Sequence, residues 1–334
     1  MYSEPVPMRF GGLYAAVLVL ALLGMAAANS SGWRDPSKHT QRYIETEPGV
    51  KLEVLDWGGT GQPVLLLAGH GDTGHIFDDF APGLTSDFHV LAVTRRGFGT
   101  STQPRQGYDL TTMVRDIARV LEALQLKDVN LVGHSIAGDE MTRFALTYTD
   151  RLRKLVYLEA AYDRVEAQHL ESKFPKIPPA PSKDHESGSP QAVRAWVART
   201  EILMPESEIR ATRVFGTDGK LVRPVTPEPI VHAVARMVEH PDYRSIRAPM
   251  LAVYAVYETP AQLIARYNIA DPKTRQALDQ VFAMWQPFAK SQRDLFRKSA
   301  PHARIVDVEG ASHYIFISNR EQVTQEVRAF IQAP

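Results

Sequence analysis

The apolar positions of the chain fall into three spacings, and each predicts a different element. Residues 41–45 and 50–57 alternate apolar and polar side chains around Glu47-Pro48-Gly49, which predicts two antiparallel strands joined as a hairpin. Residues 63–68, 90–93, 129–132 and 155–158 are short apolar runs without alternation, as strands covered on both faces require. Residues 110–124 repeat at helical spacing, with Met113, Ile117, Val120, Leu121 and Leu124 on one side, and 137–149 reads as a second helix. Strands alternating with helices predict an α/β protein with a mostly parallel, doubly wound sheet.

That rhythm stops after Tyr162. A Pro-rich stretch (Pro175, Pro178, Pro179, Pro181, Pro190) leads into helical patterns at 191–203 and 229–239, which predict an inserted helical cap over 163–245. The sheet resumes at 250–256, followed by a helical insertion at 272–298, a strand at 304–308 and a closing helix at 320–331. The core domain is thus expected in two pieces, 40–162 and 246–334.

The N-terminus follows a fourth pattern. Residues 13–28 (LYAAVLVLALLGMAAA) are sixteen uncharged positions between Arg9 and the polar Asn29-Ser30-Ser31. A membrane span needs about 20 apolar residues. This stretch is shorter and ends in Ala26-Ala27-Ala28, so it reads as a signal peptide over 1–28, cleaved near Ala28, with a polar leader at 29–39. The mature protein is then expected to be exported, periplasmic or secreted, with no stable membrane partner. An uncleaved anchor is the alternative.

Composition narrows the chemistry. With 44% hydrophobic and 23% charged residues, and 38 basic against 38 acidic side chains, the chain suits neither a disordered protein nor a nucleic-acid binder. It has no cysteine, which excludes disulfides, thiol nucleophiles and Cys-ligated metals and leaves oxygen or nitrogen nucleophiles.

One turn offers such a nucleophile. In the run 129–138 (VNLVGHSIAG), Ser135 stands between a buried strand and a helix, with Gly133 and Ala137 two positions to either side. A strained strand-to-helix turn needs small residues there, exposes the hydroxyl at the carboxyl end of the sheet, and aims the amide of Ile136 at a developing oxyanion. A serine that merely caps the helix is the plainer alternative.

With Gly58-Gly59-Thr60-Gly61, the strand end LLLAGHG, Arg96-Gly97-Phe98-Gly99-Thr100-Ser101, Gly133-His134-Ser135 and Gly310-Ala311-Ser312-His313 in this order, residues 40–334 resemble an α/β-hydrolase. Ala137 departs from the family's commonest pattern, which has glycine there; Gly138 follows. The resemblance implies His313 as the general base, just after the last strand. For the orienting acid it offers two places. Glu159 ends the strand 155–158, a position some branches use, and is preferred to Glu258, which follows the strand 250–256 in the commoner position; Asp163 is a third candidate. The second oxyanion donor is implied to be the backbone N–H of Asp72, after His70-Gly71.

His70, Asp72 and His75 also permit a metal reading, but no companion cluster accompanies them, and neither metal nor cofactor is implied. The aromatic and sulfur side chains Trp196, Phe215, Met237, Phe282, Met284 and Trp285 are candidates to line an apolar substrate pocket, core packing being the plainer alternative. A serine nucleophile points to acyl transfer on a small-molecule ester, lactone or thioester. A non-catalytic ligand-binding protein and a cofactor-free lyase or perhydrolase on the same scaffold are the rival expectations.

Overall fold

The protein is described from a computed structural model covering residues 33–178 and 188–334. The expected signal peptide, Pro179 and Pro181 lie outside the described residues. The alternating segments form β1 (Thr40–Glu47) and β2 (Val50–Gly58), paired antiparallel, with Gly49 supplying the positive φ of +79° that the tight turn needs. The unalternating runs become β3 (Gln62–Leu67), β4 (Phe88–Val93), β5 (Val129–His134) and β6 (Leu152–Leu158). Helices α1 (Leu110–Ala123) and α2 (Ala137–Thr147) supply the crossovers; the Asp109 carboxylate starts α1 by accepting the Thr112 N–H.

After β6 the chain leaves the sheet for α3 (Arg164–Glu171), α4 (Pro190–Thr200), α5 (Glu206–Thr212), the strands β7 (Arg213–Phe215) and β8 (Leu221–Pro224), and α6 (Glu228–Ala235). The all-helical expectation for this stretch is corrected by the β7–β8 hairpin. Its runs of three and four residues are too short for periodicity to reveal. The chain returns through β9 (Met250–Val256), α7 (Pro260–Leu263), the long α8 (Pro272–Ser299), β10 (Arg304–Glu309), α9 (Ile315–Ser318) and α10 (Arg320–Gln332).

The eight-stranded sheet has the order β1-β2-β4-β3-β5-β6-β9-β10, parallel from β4 onward. Consecutive residues of its middle strands face opposite cores, which is why these strands show no polar alternation. Leu65, Leu67, Leu131, Leu155 and Tyr157 pack beneath α1, α2 and Phe296 of α8, while Leu66, Val132, Val156 and Leu158 pack against Phe316 and the Val323–Val327 face of α10. Burying each such aliphatic side chain contributes roughly 1.5–3 kcal/mol before entropy is counted.

The strand order places the site. The chain steps from β3 outward to β4, then crosses back over β3 to β5, so the loops leaving β3 and β5 diverge. This switch point opens a crevice at the carboxyl ends of the two central strands. The loop after β3 carries His70–Asp72, and the turn after β5 carries Ser135.

Candidate active site

Between β5 and α2 only Ser135 and Ile136 intervene, and Ser135 takes the left-handed conformation with φ +54°. A non-glycine residue there is strained, and the packing around the turn enforces it. A Cβ added at Gly133 would meet Met141 Sδ at 2.6 Å and the Ala137 Cβ at 3.0 Å. At Gly138 it would lie 2.0 Å from the Ala160 carbonyl oxygen, so α2 is seated directly on the backbone that follows β6. The glycine displaced by one position, to 138, is therefore required by a close backbone approach.

Three side chains from three strand ends meet at this turn. The Ser135 Oγ is 3.0 Å from His313 Nε2, and His313 Nδ1 is 3.4 Å from Glu159 Oε2. His313 comes from the loop between β10 and α9, and Glu159, itself at φ +50°, stands at the end of β6 with its N–H bonded to the Val253 carbonyl at 2.9 Å. The Glu159 carboxylate is fully buried but well supplied with donors. Oε1 accepts from the Tyr162 hydroxyl at 2.9 Å and the Ala255 N–H at 2.7 Å; Oε2 accepts from the Tyr257 hydroxyl at 2.7 Å. Burial and the neighbouring Glu159 charge hold both phenols well above the usual tyrosine range, so they remain donors.

Glu258, the alternative acid, is exposed beyond β9, and its N–H bonds to Gln262 Oε1 at 2.6 Å. It is not at the imidazole. Asp163 accepts the Val165 and Glu166 N–H groups as the cap of α3 and pairs with His240 Nδ1 at 2.8 Å.

His134, the residue before the serine, is also at work. It is buried, and its Nε2–H donates to the His313 carbonyl at 2.9 Å, with the two rings tilted at 4.6 Å between centroids. Burial first, then the nearby His313, hold its pKa well below the usual histidine range, so it stays neutral and positions the loop that carries His313.

The loop after β3 is clamped from below. Arg95, buried, donates to the Ala68 carbonyl at 2.9 Å and the Gly69 carbonyl at 3.2 Å, and its guanidinium is bidentate to Glu140 of α2 at 2.8 and 2.7 Å. This links the two loops that flank the crevice. The N–H groups of Asp72 and Ile136 donate to no other group among the described residues, which leaves both amides available. The Asp72 side chain is nearly unpartnered. Among the described residues its Oδ1 meets only the Tyr314 hydroxyl, at 3.4 Å, and its buried Oδ2 has no partner. Burial above all, then the charges of Glu208 and Glu201, push its carboxyl well above the ordinary range.

A cavity of about 390 Å³ adjoins this loop, lined by His70, Asp72, Glu201, Glu208, Arg213 and Tyr314 among others. None of the six aromatic and methionine residues proposed for a pocket lines it. Phe215 and Met237 are buried in different core clusters, on opposite sides of the sheet, while Trp196, Phe282, Met284 and Trp285 are half-buried; Trp285 packs on Tyr162, behind Glu159. Nor do His70, Asp72 and His75 converge on a metal: His70 Nε2 donates to the Val231 carbonyl at 2.9 Å, and His75 pairs with Asp78 at 3.2 Å. Sequence reading missed Arg95, Glu140, Tyr162, Tyr257 and the His134 contact. Only the charge pair Arg95 and Glu140, each placed beside a motif, left a trace, because buried charges demand partners.

The family model for the alpha/beta hydrolase fold matches residues 62–200, the stretch that holds the loop after β3, the serine turn and Glu159. The chain has the α/β-hydrolase fold. Over 117 residues this hydrolase-fold chain is 37% identical to a non-heme chloroperoxidase of Kitasatospora aureofaciens, covering 34% of this chain and 42% of that protein. The matches to it and to two further relatives span 35–42% of those relatives' lengths. A longer match, 27% identical over 222 residues, covers 64% of this chain and 78% of 2-(acetamidomethylene)succinate hydrolase of Mesorhizobium japonicum. A solved structure of E-2-(acetamidomethylene)succinate hydrolase superposes with a TM-score of 0.64 at 21% identity, over 88% of this chain and all of that one, which shows the shared fold.

Proposed function

We propose that this α/β-hydrolase-fold protein is a serine hydrolase, carboxylesterase-like, that cleaves a small-molecule ester, lactone or thioester through an acyl-enzyme on Ser135. One observation carries the reading: a strained serine with its hydroxyl 3.0 Å from an imidazole whose other nitrogen faces a buried carboxylate. In the first step His313 Nε2 takes the Ser135 proton as Oγ bonds to the substrate carbonyl carbon. The carbonyl oxygen becomes an oxyanion held by the N–H groups of Asp72 and Ile136, a donor of this kind being worth about 3 kcal/mol of barrier. Collapse breaks the bond to the leaving alkoxide or thiolate, which receives the proton from His313. Water then gives its proton to His313 and attacks the acyl carbon, and Ser135 leaves with that proton. Glu159, hydrogen-bonded by Tyr162, Tyr257 and Ala255, fixes the imidazole tautomer and stabilises its cation.

The likeness to a bifunctional esterase/perhydrolase of Acinetobacter calcoaceticus, 33% identical over 123 residues, favours a second reading, in which hydrogen peroxide replaces water as the attacking group and a peracid is released. We further place the mature protein outside the cytoplasm, on the strength of the apolar run at 13–28. Among the described residues, no helix is long and apolar enough to cross a membrane.

The test is turnover of p-nitrophenyl esters of graded acyl length, with and without hydrogen peroxide, by wild type and Ser135→Ala. The proposal expects ester cleavage that Ser135→Ala abolishes; a folded wild type inert to esters, lactones and thioesters alike refutes it. Peracid formed only with peroxide present selects the second reading.

A further inference from the structure

A second cluster of chemistry-bearing side chains lies outside the serine site. Asp35 and His39 sit in the leader that precedes β1, and His75 and Asp78 belong to the 3₁₀ turn after the Asp72–Thr73 loop and its flank. Each offers one ligand atom, and the four atoms lie within 4.8 Å of one another. Asp35 Oδ2 is 3.5 Å from His75 Nδ1, which is 3.2 Å from Asp78 Oδ2; Asp78 Oδ1 is 2.9 Å from His39 Nδ1. A tetrahedral zinc ion with bonds of about 2.0–2.1 Å separates its ligand atoms by about 3.3 Å. The side chains already stand near that spacing.

The surroundings are those of a built site. The far nitrogen of His75, Nε2, faces Glu53 Oε1 at 3.7 Å, the carboxylate–imidazole arrangement that orients metal-bound histidines. Glu53 is itself fixed by hydroxyls of Thr94 at 2.6 Å and Thr100 at 2.7 Å. Asp78 accepts a hydrogen bond from Ser207, and the His39 ring packs edge-on against Trp57 at 5.3 Å. The side chains of His39 and Asp78 are only 6% and 3% exposed. Two nitrogen and two oxygen donors suit a borderline ion such as Zn²⁺; Ca²⁺ takes six to eight oxygens.

We propose that Asp35, His39, His75 and Asp78 bind one divalent transition metal ion, zinc by donor set, which staples the leader to the segment that follows the oxyanion-side loop. Four protein ligands leave no open position, so the site is structural. The ion ties the chain upstream of β1 to the base of the loop carrying Asp72, a cross-link that a chain without cysteine has no disulfide to make. The leader is already docked there, with Arg210 over the Trp33 ring at 4.5 Å.

The experiment uses untagged, chelator-stripped protein titrated with Zn²⁺ and with Co²⁺ as spectroscopic stand-in. Wild type should take up one equivalent, show the intense visible absorption of four-coordinate cobalt, and unfold at higher temperature with zinc bound. Asp35→Ala and His39→Ala alter only the leader. Circular dichroism should show their folds intact, while zinc binding weakens by about 100-fold or more. Failure to bind one equivalent, a six-coordinate cobalt spectrum, or binding undiminished in Asp35→Ala/His39→Ala overturns the proposal. Because these readouts need no substrate, they stand apart from the fate of the serine-hydrolase reading.

Discussion

Two buried carboxyl groups flank the serine–histidine pair, and the protein treats them in opposite ways. Glu159, after β6, is surrounded by three hydrogen-bond donors besides the imidazole, two of them phenols held protonated. Asp72, after β3, has among the described residues one long contact to Tyr314, an unpartnered Oδ2 and two acidic neighbours across the cavity. Burial alone therefore says nothing about the role of an acid; the donors built around it decide. In our account the side chain of Glu159 serves the base, whereas Asp72 serves through its backbone N–H.

Substitutions can break that contrast. The largest effect is expected from Glu159→Gln, which keeps the shape but lets the imidazole adopt the wrong tautomer. Turnover should fall about 10⁴-fold. Glu258→Gln, at an exposed position, should leave kcat unchanged; the reverse pattern would move the acid to β9. Next comes Tyr257→Phe, which removes one donor from the Glu159 carboxylate. A hydrogen bond to a charged group is worth about 1.5–3 kcal/mol, so kcat should drop about 10-fold, with KM little changed.

Asp72→Asn should have the smallest effect on turnover, since the backbone N–H is retained, and the contrast is then read in stability. The folded pKa of Asp72 is raised, so the stability carried by its protonated form is full below the ordinary value of 3.8 and is lost as pH rises through the raised value. Glu208, also pushed up by burial, acts in the same direction from 4.5 upward. Melting curves from pH 4 to 9 should show wild type losing Tm with rising pH and Asp72→Asn losing less, a gap of about 2–4 °C per kcal/mol recovered. Parallel curves would mean that Asp72 is not titrating as its surroundings require.

How far the site could be read from sequence follows from the range of the interactions. The serine turn is local: strand, small residues and helix lie within ten consecutive positions, and Gly133, Ser135 and Gly138 meet demands set by immediate neighbours. The doubly wound sheet was equally legible, because runs such as Val64–Leu67 are apolar on both faces. The choice between Glu159 and Glu258 was not local. It depends on which strand end lies nearest the loop after β10, and the decisive tyrosines come from positions three and 98 residues away from Glu159. Phe215 and Met237 misled as pocket candidates because apolar side chains of the insertion are drawn into the two clusters built on the sheet. The leader hid its chemistry for the same reason, since Asp35 and His39 gain meaning only when β2 and the turn at 74–77 fold beside them.

The claim at the centre of the account is that Ser135 is an activated nucleophile. Its most direct test is reaction of the folded protein with a fluorophosphonate, followed by intact-mass and peptide analysis. The account predicts one adduct per chain on the Ser135 peptide, and none in Ser135→Ala. A folded wild type that stays unmodified, or an adduct that persists in Ser135→Ala, would contradict it.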